Sequence, residues 1–141
     1  MQDSNDTPPW GDGQTYFEQI GGEGAVRRVV TRFYERLKND PMIGFFFKGK
    51  DIERLIEMEI RFSAHALGDP TPYRGRSIAV AHQNLKIFGG QHLRRLQVLR
   101  EEINREGLPE QIALFWLAHQ ESHRSDVTGD KGSRCARPVG S

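Results

Sequence analysis

Between Val26 and Leu37 the apolar residues Val26, Val29, Val30, Phe33, Tyr34 and Leu37 recur at steps of three and one. That spacing places all six on one face of a helix, and it constrains the fold more than any other feature of the chain. Gly21 and Gly22 form a turn before this helix, and Pro41 lies beyond its end. A second stripe runs Ile52, Leu55, Ile56, Glu59, Phe62 and Ala66, opened by Asp51 as a helix cap and stopped by Gly68 and Pro70. Ser77 can cap a short helix whose inner face carries Ile78, His82 and Leu85, with Gly89-Gly90 as its stop. Two further amphipathic segments carry Leu93, Leu96, Leu99 and Ile103, then Ile112, Phe115, Trp116 and His119 after Leu108-Pro109. No segment sustains an alternation of period two, so the fold class is all-α.

At 141 residues the chain suits one domain around one core. The first 14 residues and those from about 128 onward are poor in core formers, so the expected organisation is a flexible extension over 1–14, a domain over 15–127 and a disordered tail over 128–141. Twenty basic residues balance nineteen acidic ones at a net charge of +1, which gives no field directed at nucleic acid or an anionic membrane. The single cysteine, Cys135, excludes an internal disulfide and fits a reducing compartment. No stretch approaches the ~20 apolar residues of a membrane span, and the N-terminus lacks an apolar leader, so a cytoplasmic location is expected.

Three polar residues interrupt apolar helical faces: Tyr34, Glu59 and His82. Taken alone, His82 reads as a hydrogen-bonded core residue or as a metal ligand, and Tyr34 as packing area with its hydroxyl at the surface. Glu59 is harder to dismiss, because an unpaired buried carboxylate costs several kcal/mol. It must be protonated, paired or at the margin of the stripe. His119 and His123, four apart, lack both a third ligand and the His-Glu-x-x-His pattern of a zinc protease. The glycines near residues 11–24 follow no strand, and no serine or cysteine nucleophile has a credible base.

The order of these pieces resembles a group I truncated haemoglobin, a globin shortened to a two-over-two helical sandwich around haem. The pieces are YFEQIGG from Tyr16, the helix ending Arg32-Phe33-Tyr34-Glu35-Arg36, the Phe46-Phe47 corner, DIERLIEMEIRFSAHALG from Asp51, Tyr73 to Ser77, Ala81-His82, and Gly107 to Glu110. The likeness covers roughly residues 16–127. It implies haem b (iron protoporphyrin IX) as cofactor, with His82 as the metal ligand on iron and its second ring nitrogen donating to a carbonyl. It further implies that Phe47 packs on the haem plane and that Tyr34 donates to a bound gas. Leu55 then stands at the gate of the gas-binding face, with Phe62 on the same stripe and Trp116 and Leu117 on the last helix touching the haem.

Three positions depart from the family pattern. Glu59 replaces a glutamine that supports the distal tyrosine, and as a carboxyl group it is a donor when protonated and an acceptor when ionised. Met58 stands where some relatives carry a basic residue near a haem propionate or a histidine that binds iron as a sixth ligand; a methionine sulfur is the alternative sixth ligand, and the commoner role of Met is gap filling. In an ungapped register His92 occupies the position of a phenylalanine beside the haem, whereas a slip of one residue at Gly89-Gly90 would put Leu93 there. The resemblance implies reversible binding of O₂, NO and CO by a carrier, store or sensor, with NO detoxification through an outside reductase as an enzymatic extension. The alternative is a peroxidase-like haem enzyme in which Glu59 shuttles a proton beside Tyr34. A helical binding module that has lost haem is a third reading.

Overall fold

The computed structural model describes residues 7–71 and 89–122, all of whose regular elements are helical. His82, His123 and the expected short helix after Ser77 lie outside these residues. Helix α1 (Tyr16–Gln19) opens with Thr15, whose side chain accepts from the Glu18 N–H while the Glu18 carboxylate accepts from the Thr15 N–H. Gly21 and Gly22, at φ +101° and +84°, turn the chain into α2 (Glu23–Lys38). All six residues of the first stripe are buried on α2. A 3-10 turn over Gly44–Phe47 follows, then α3 (Ile52–Ala66), capped by Asp51 accepting from the Arg54 N–H at 3.1 Å.

Helices α4 (Gly89–Arg105) and α5 (Glu110–Ser122) complete the described chain. Helix α2 packs on α3 and α4, α4 packs on α5, and α3 touches α5. The result is two helical pairs laid against each other, with one core between them formed by Val29, Val30, Phe33, Leu37, Ile60, Val98, Leu99, Ile103, Ile112 and Trp116. The flanks of α2 are ionic. On one side Arg28 meets Glu106, Arg32 meets Glu102 and Glu106, and Arg36 meets Glu101 and Glu102 of α4. On the other, Arg27 meets Glu57 of α3, and Arg61 of α3 returns to Glu23. Glu102 is buried, and burial pushes its pKa up. The hydrogen bonds from Arg32 and Arg36 outweigh that and hold it below the usual carboxylate value.

Helix α4 starts on Gly89 and Gly90, where backbone N–H groups have no helical partner to lose; the helix expected to stop at these glycines lies outside the described residues. The buried face turns by about one residue from the expected leucine stripe. Leu93 is 63% exposed, while His92, Arg95, Val98, Leu99, Glu102 and Ile103 are buried. Of His92 and Leu93, the two residues weighed for the phenylalanine position, His92 is the buried one. Ion pairs mark this face: Arg95 pairs with Glu59 of α3, and Glu102 with Arg32 and Arg36 of α2.

The stretch expected as an N-terminal extension has an anchored part. The Trp10 ring sits edge-on against Tyr16 and Phe115, with centroids 5.0 and 5.8 Å away, joining the first turn to α5. Gly68, which ends α3 at φ +108°, lies under the same patch. A Cβ there would fall 2.5 Å from the Thr15 Cβ and 3.0 Å from the Trp10 ring. Gly68→Ala should therefore cost about 2–3 kcal/mol, through a left-handed backbone and a clash together. Urea unfolding checks this, and an unchanged midpoint would show that the Trp10 patch can move aside.

Candidate functional site

Tyr34 occupies the inner face of α2 and is 1% exposed. Its ring meets Phe33 at 5.1 Å and Phe47 of the 3-10 turn at 6.0 Å, both edge-on. The hydroxyl is buried and has no hydrogen-bond partner. An orphaned buried hydroxyl costs free energy that a ligand accepting its hydrogen would return. Burial and the negative charge of Glu59 push the Tyr34 pKa well above its ordinary value, against the opposing pull of Arg95, so the phenol keeps its proton as a donor.

Glu59 is 2% exposed, on the face of α3 turned toward α4 and α5. Its Oε2 accepts from Ser63 Oγ at 2.9 Å and from Gln120 Nε2 of α5 at 2.8 Å, and its Oε1 lies 3.4 Å from Arg95 Nη2 of α4. Three donors converging on two oxygens are what an ionised carboxylate accepts. Tyr34 is not among them. Glu59 is thus paired, with its carboxylate turned to Arg95 and Gln120 instead of to the tyrosine hydroxyl.

Arg95 and Gln120 are the residues that sequence reasoning missed. Arg95 is fully buried; its Nη1 donates to Gln120 Oε1 at 2.8 Å, and its guanidinium carbon lies 5.0 Å from the centre of the Phe33 ring. Its Nε–H is buried without a partner, like the Tyr34 hydroxyl. The signal for Arg95 was Glu59 itself, because a carboxylate on an inner stripe requires a cation from another helix.

The remaining predicted residues distribute around this cluster. Phe47, Leu55 and Trp116 are buried in the core, and the indole N–H of Trp116 has no partner. Phe62 and Leu117 are half-buried and packed on the core, with the Phe62 ring 4.8 Å from His119. Met58 is half-buried on α3. His92 is buried, its Nε2 3.3 Å from the Glu121 carboxylate. Among the described residues, no group of three or more His, Cys, Asp or Glu side chains is placed to hold a metal ion. No helix among them is long and apolar enough to cross a membrane.

Comparison with known proteins matches residues 15–114 to the family model of the bacterial-like globins. A group 1 truncated haemoglobin of Tetrahymena thermophila is 26% identical over 115 residues, covering 82% of this chain and 95% of that protein. Its counterpart in Tetrahymena pyriformis is 31% identical over 74 residues, 52% of this chain; that match spans 61% of the relative's own length. In three dimensions the chain superposes on the 2/2 haemoglobin of a Synechococcus species, solved in the cyanomet state with covalently attached haem, at a TM-score of 0.75. Identity there is 22%, with 82% of this chain and 99% of that one covered.

Proposed function

This chain belongs to the bacterial-like globin family, among the group 1 truncated haemoglobins, and from that premise we propose that it binds haem b and, through it, reversibly binds O₂ and other diatomic gases. The observation that carries the reading is the buried, unpartnered Tyr34 hydroxyl beside Phe47. The residues present fit the group. Phe47, Leu55, Phe62, Trp116 and Leu117 supply apolar walls, Met58 fills the margin of the α3 face, and His82 is the proposed iron ligand.

Haem supplies the iron to which a diatomic gas coordinates; the protein supplies orientation, exclusion of water and hydrogen bonding. Tyr34, kept protonated, donates to a gas that carries partial negative charge, as O₂ does when held this way. It gives CO, which stays nearly apolar, much less. Phe33 and Phe47 bracket the phenol ring, so its hydroxyl direction is set by packing. NO detoxification extends the same reading: O₂ held by Tyr34 combines with NO and one electron from an outside reductase to give nitrate.

A peroxidase-like role asks more of Glu59. Its oxygens already accept from Ser63, Gln120 and Arg95, so a proton taken up there comes at the expense of its attraction to Arg95. Equal peroxide-driven oxidation by wild type and Glu59→Gln across pH would remove that role. The central test is reconstitution with haemin. A Soret band is expected in the wild-type protein and should be lost or displaced in His82→Ala, with O₂ and CO each shifting the ferrous spectrum. A wild-type spectrum without a Soret band, or one unchanged in His82→Ala, overturns the reading.

A further inference from the structure

The Arg95 guanidinium is fully buried, permanently charged and incompletely paired. Its contact with Glu59 is long, at 3.4 Å, because the Glu59 carboxylate is shared with Ser63 and Gln120 at 2.9 and 2.8 Å. One Nη donates to Gln120, and the Nε–H donates to nothing. A second buried donor without a partner is the Tyr34 hydroxyl, whose ring adjoins the Phe33 ring over which the guanidinium lies. Two buried donors without a partner, one of them on a cation, thus adjoin the Phe33 ring, and one of the two is the residue proposed to hold the gas. A neutral diatomic ligand satisfies one of them at most.

We propose that Arg95 and Tyr34 together form a site for a small monovalent anion on the ligand side of the haem pocket, with Arg95 as the residue that selects an anion over a neutral gas. The inference rests on the haem reading above. An anion gains the part of the guanidinium's attraction that Glu59 leaves uncompensated, and the bond it accepts is charge-assisted. Glu59 moderates the site. It balances part of the Arg95 charge when no anion is present, so the cation remains buried at tolerable cost.

The experiment titrates haemin-reconstituted ferric protein with sodium fluoride and with sodium azide at one fixed, mildly acidic pH. Carbon monoxide binding to the ferrous form is the neutral control. Removing the counter-charge in Glu59→Gln should tighten fluoride several-fold. Removing both charges in Arg95→Met/Glu59→Gln should weaken fluoride and azide by about ten-fold or more, and the CO affinity should change far less in either variant. The double variant buries no lone charge, which keeps the comparison among folded proteins. The fluoride charge-transfer band, which reports hydrogen bonding to the halide, should move in the double variant and in Tyr34→Phe. Full haem uptake with an unchanged ratio of fluoride to CO affinity overturns the role of Arg95 alone. A wild-type protein that takes up no haemin overturns the haem reading and this inference with it.

Discussion

Replacing Arg95 by methionine should lower the free energy of unfolding by about 3–5 kcal/mol, the usual cost of removing one partner from a buried ion pair. The change leaves Glu59, 2% exposed, with two neutral donors and no cation. Adding Glu59→Met should return a substantial part of the loss, because the second substitution removes the stranded charge and fills its volume with an apolar side chain. Urea unfolding of the wild type, both single variants and the double variant forms a cycle that isolates the coupling. A single Arg95→Met variant as stable as wild type would mean that water reaches Glu59, and the dry cluster would be disproved.

Tyr34→Phe should speed the release of O₂ by roughly 10- to 100-fold, corresponding to ~1–3 kcal/mol for a lost charge-assisted bond. CO release should change much less. The same substitution should leave the ligand-free protein as stable as before or more so, because it deletes a buried hydroxyl that bonds to nothing. Flash photolysis and stopped-flow mixing read the rates, and urea unfolding reads the stability. Equal acceleration of O₂ and CO would point to a steric gate in place of a hydrogen bond. The opposite signs expected for ligand retention and apoprotein stability separate a functional hydroxyl from a structural one.

Much of this was legible in the sequence because α2 and α3 are ordinary amphipathic helices. Their inner faces are marked by valine, isoleucine and phenylalanine at helical spacing, and Asp51 and Gly68 punctuate α3 where a cap and a stop are needed. Helix α4 was misjudged by one residue for a physical reason. Apolar periodicity counts Leu93, Leu96, Leu99 and Ile103 and is blind to ion pairs, yet Arg95 and Glu102 are buried because acids and arginines on other helices await them. A charged residue becomes a core residue only through a partner distant in sequence, and a single-helix pattern does not contain that partner. Glu59 was correctly singled out as a residue in need of company, but the company came from α4 and α5, through Arg95 and Gln120.

The arginines of α2 that face α4 stand four residues apart, at Arg28, Arg32 and Arg36, and their acids run the other way, from Glu106 back to Glu101. If α4 slid by one helical turn so that Arg36 faced Val98 and its neighbours, Arg36 would lose both of its acids and Glu106 both of its arginines. The pairing therefore works as a key cut for one lock position. Arg95 lies seven residues, about two turns, before Glu102 on the same helix. Its place against Phe33 and beside Tyr34 is thus inherited from charges some 10 Å away that never touch the ligand pocket. Variants that loosen those outer pairs would blur ligand selectivity without altering any residue of the site.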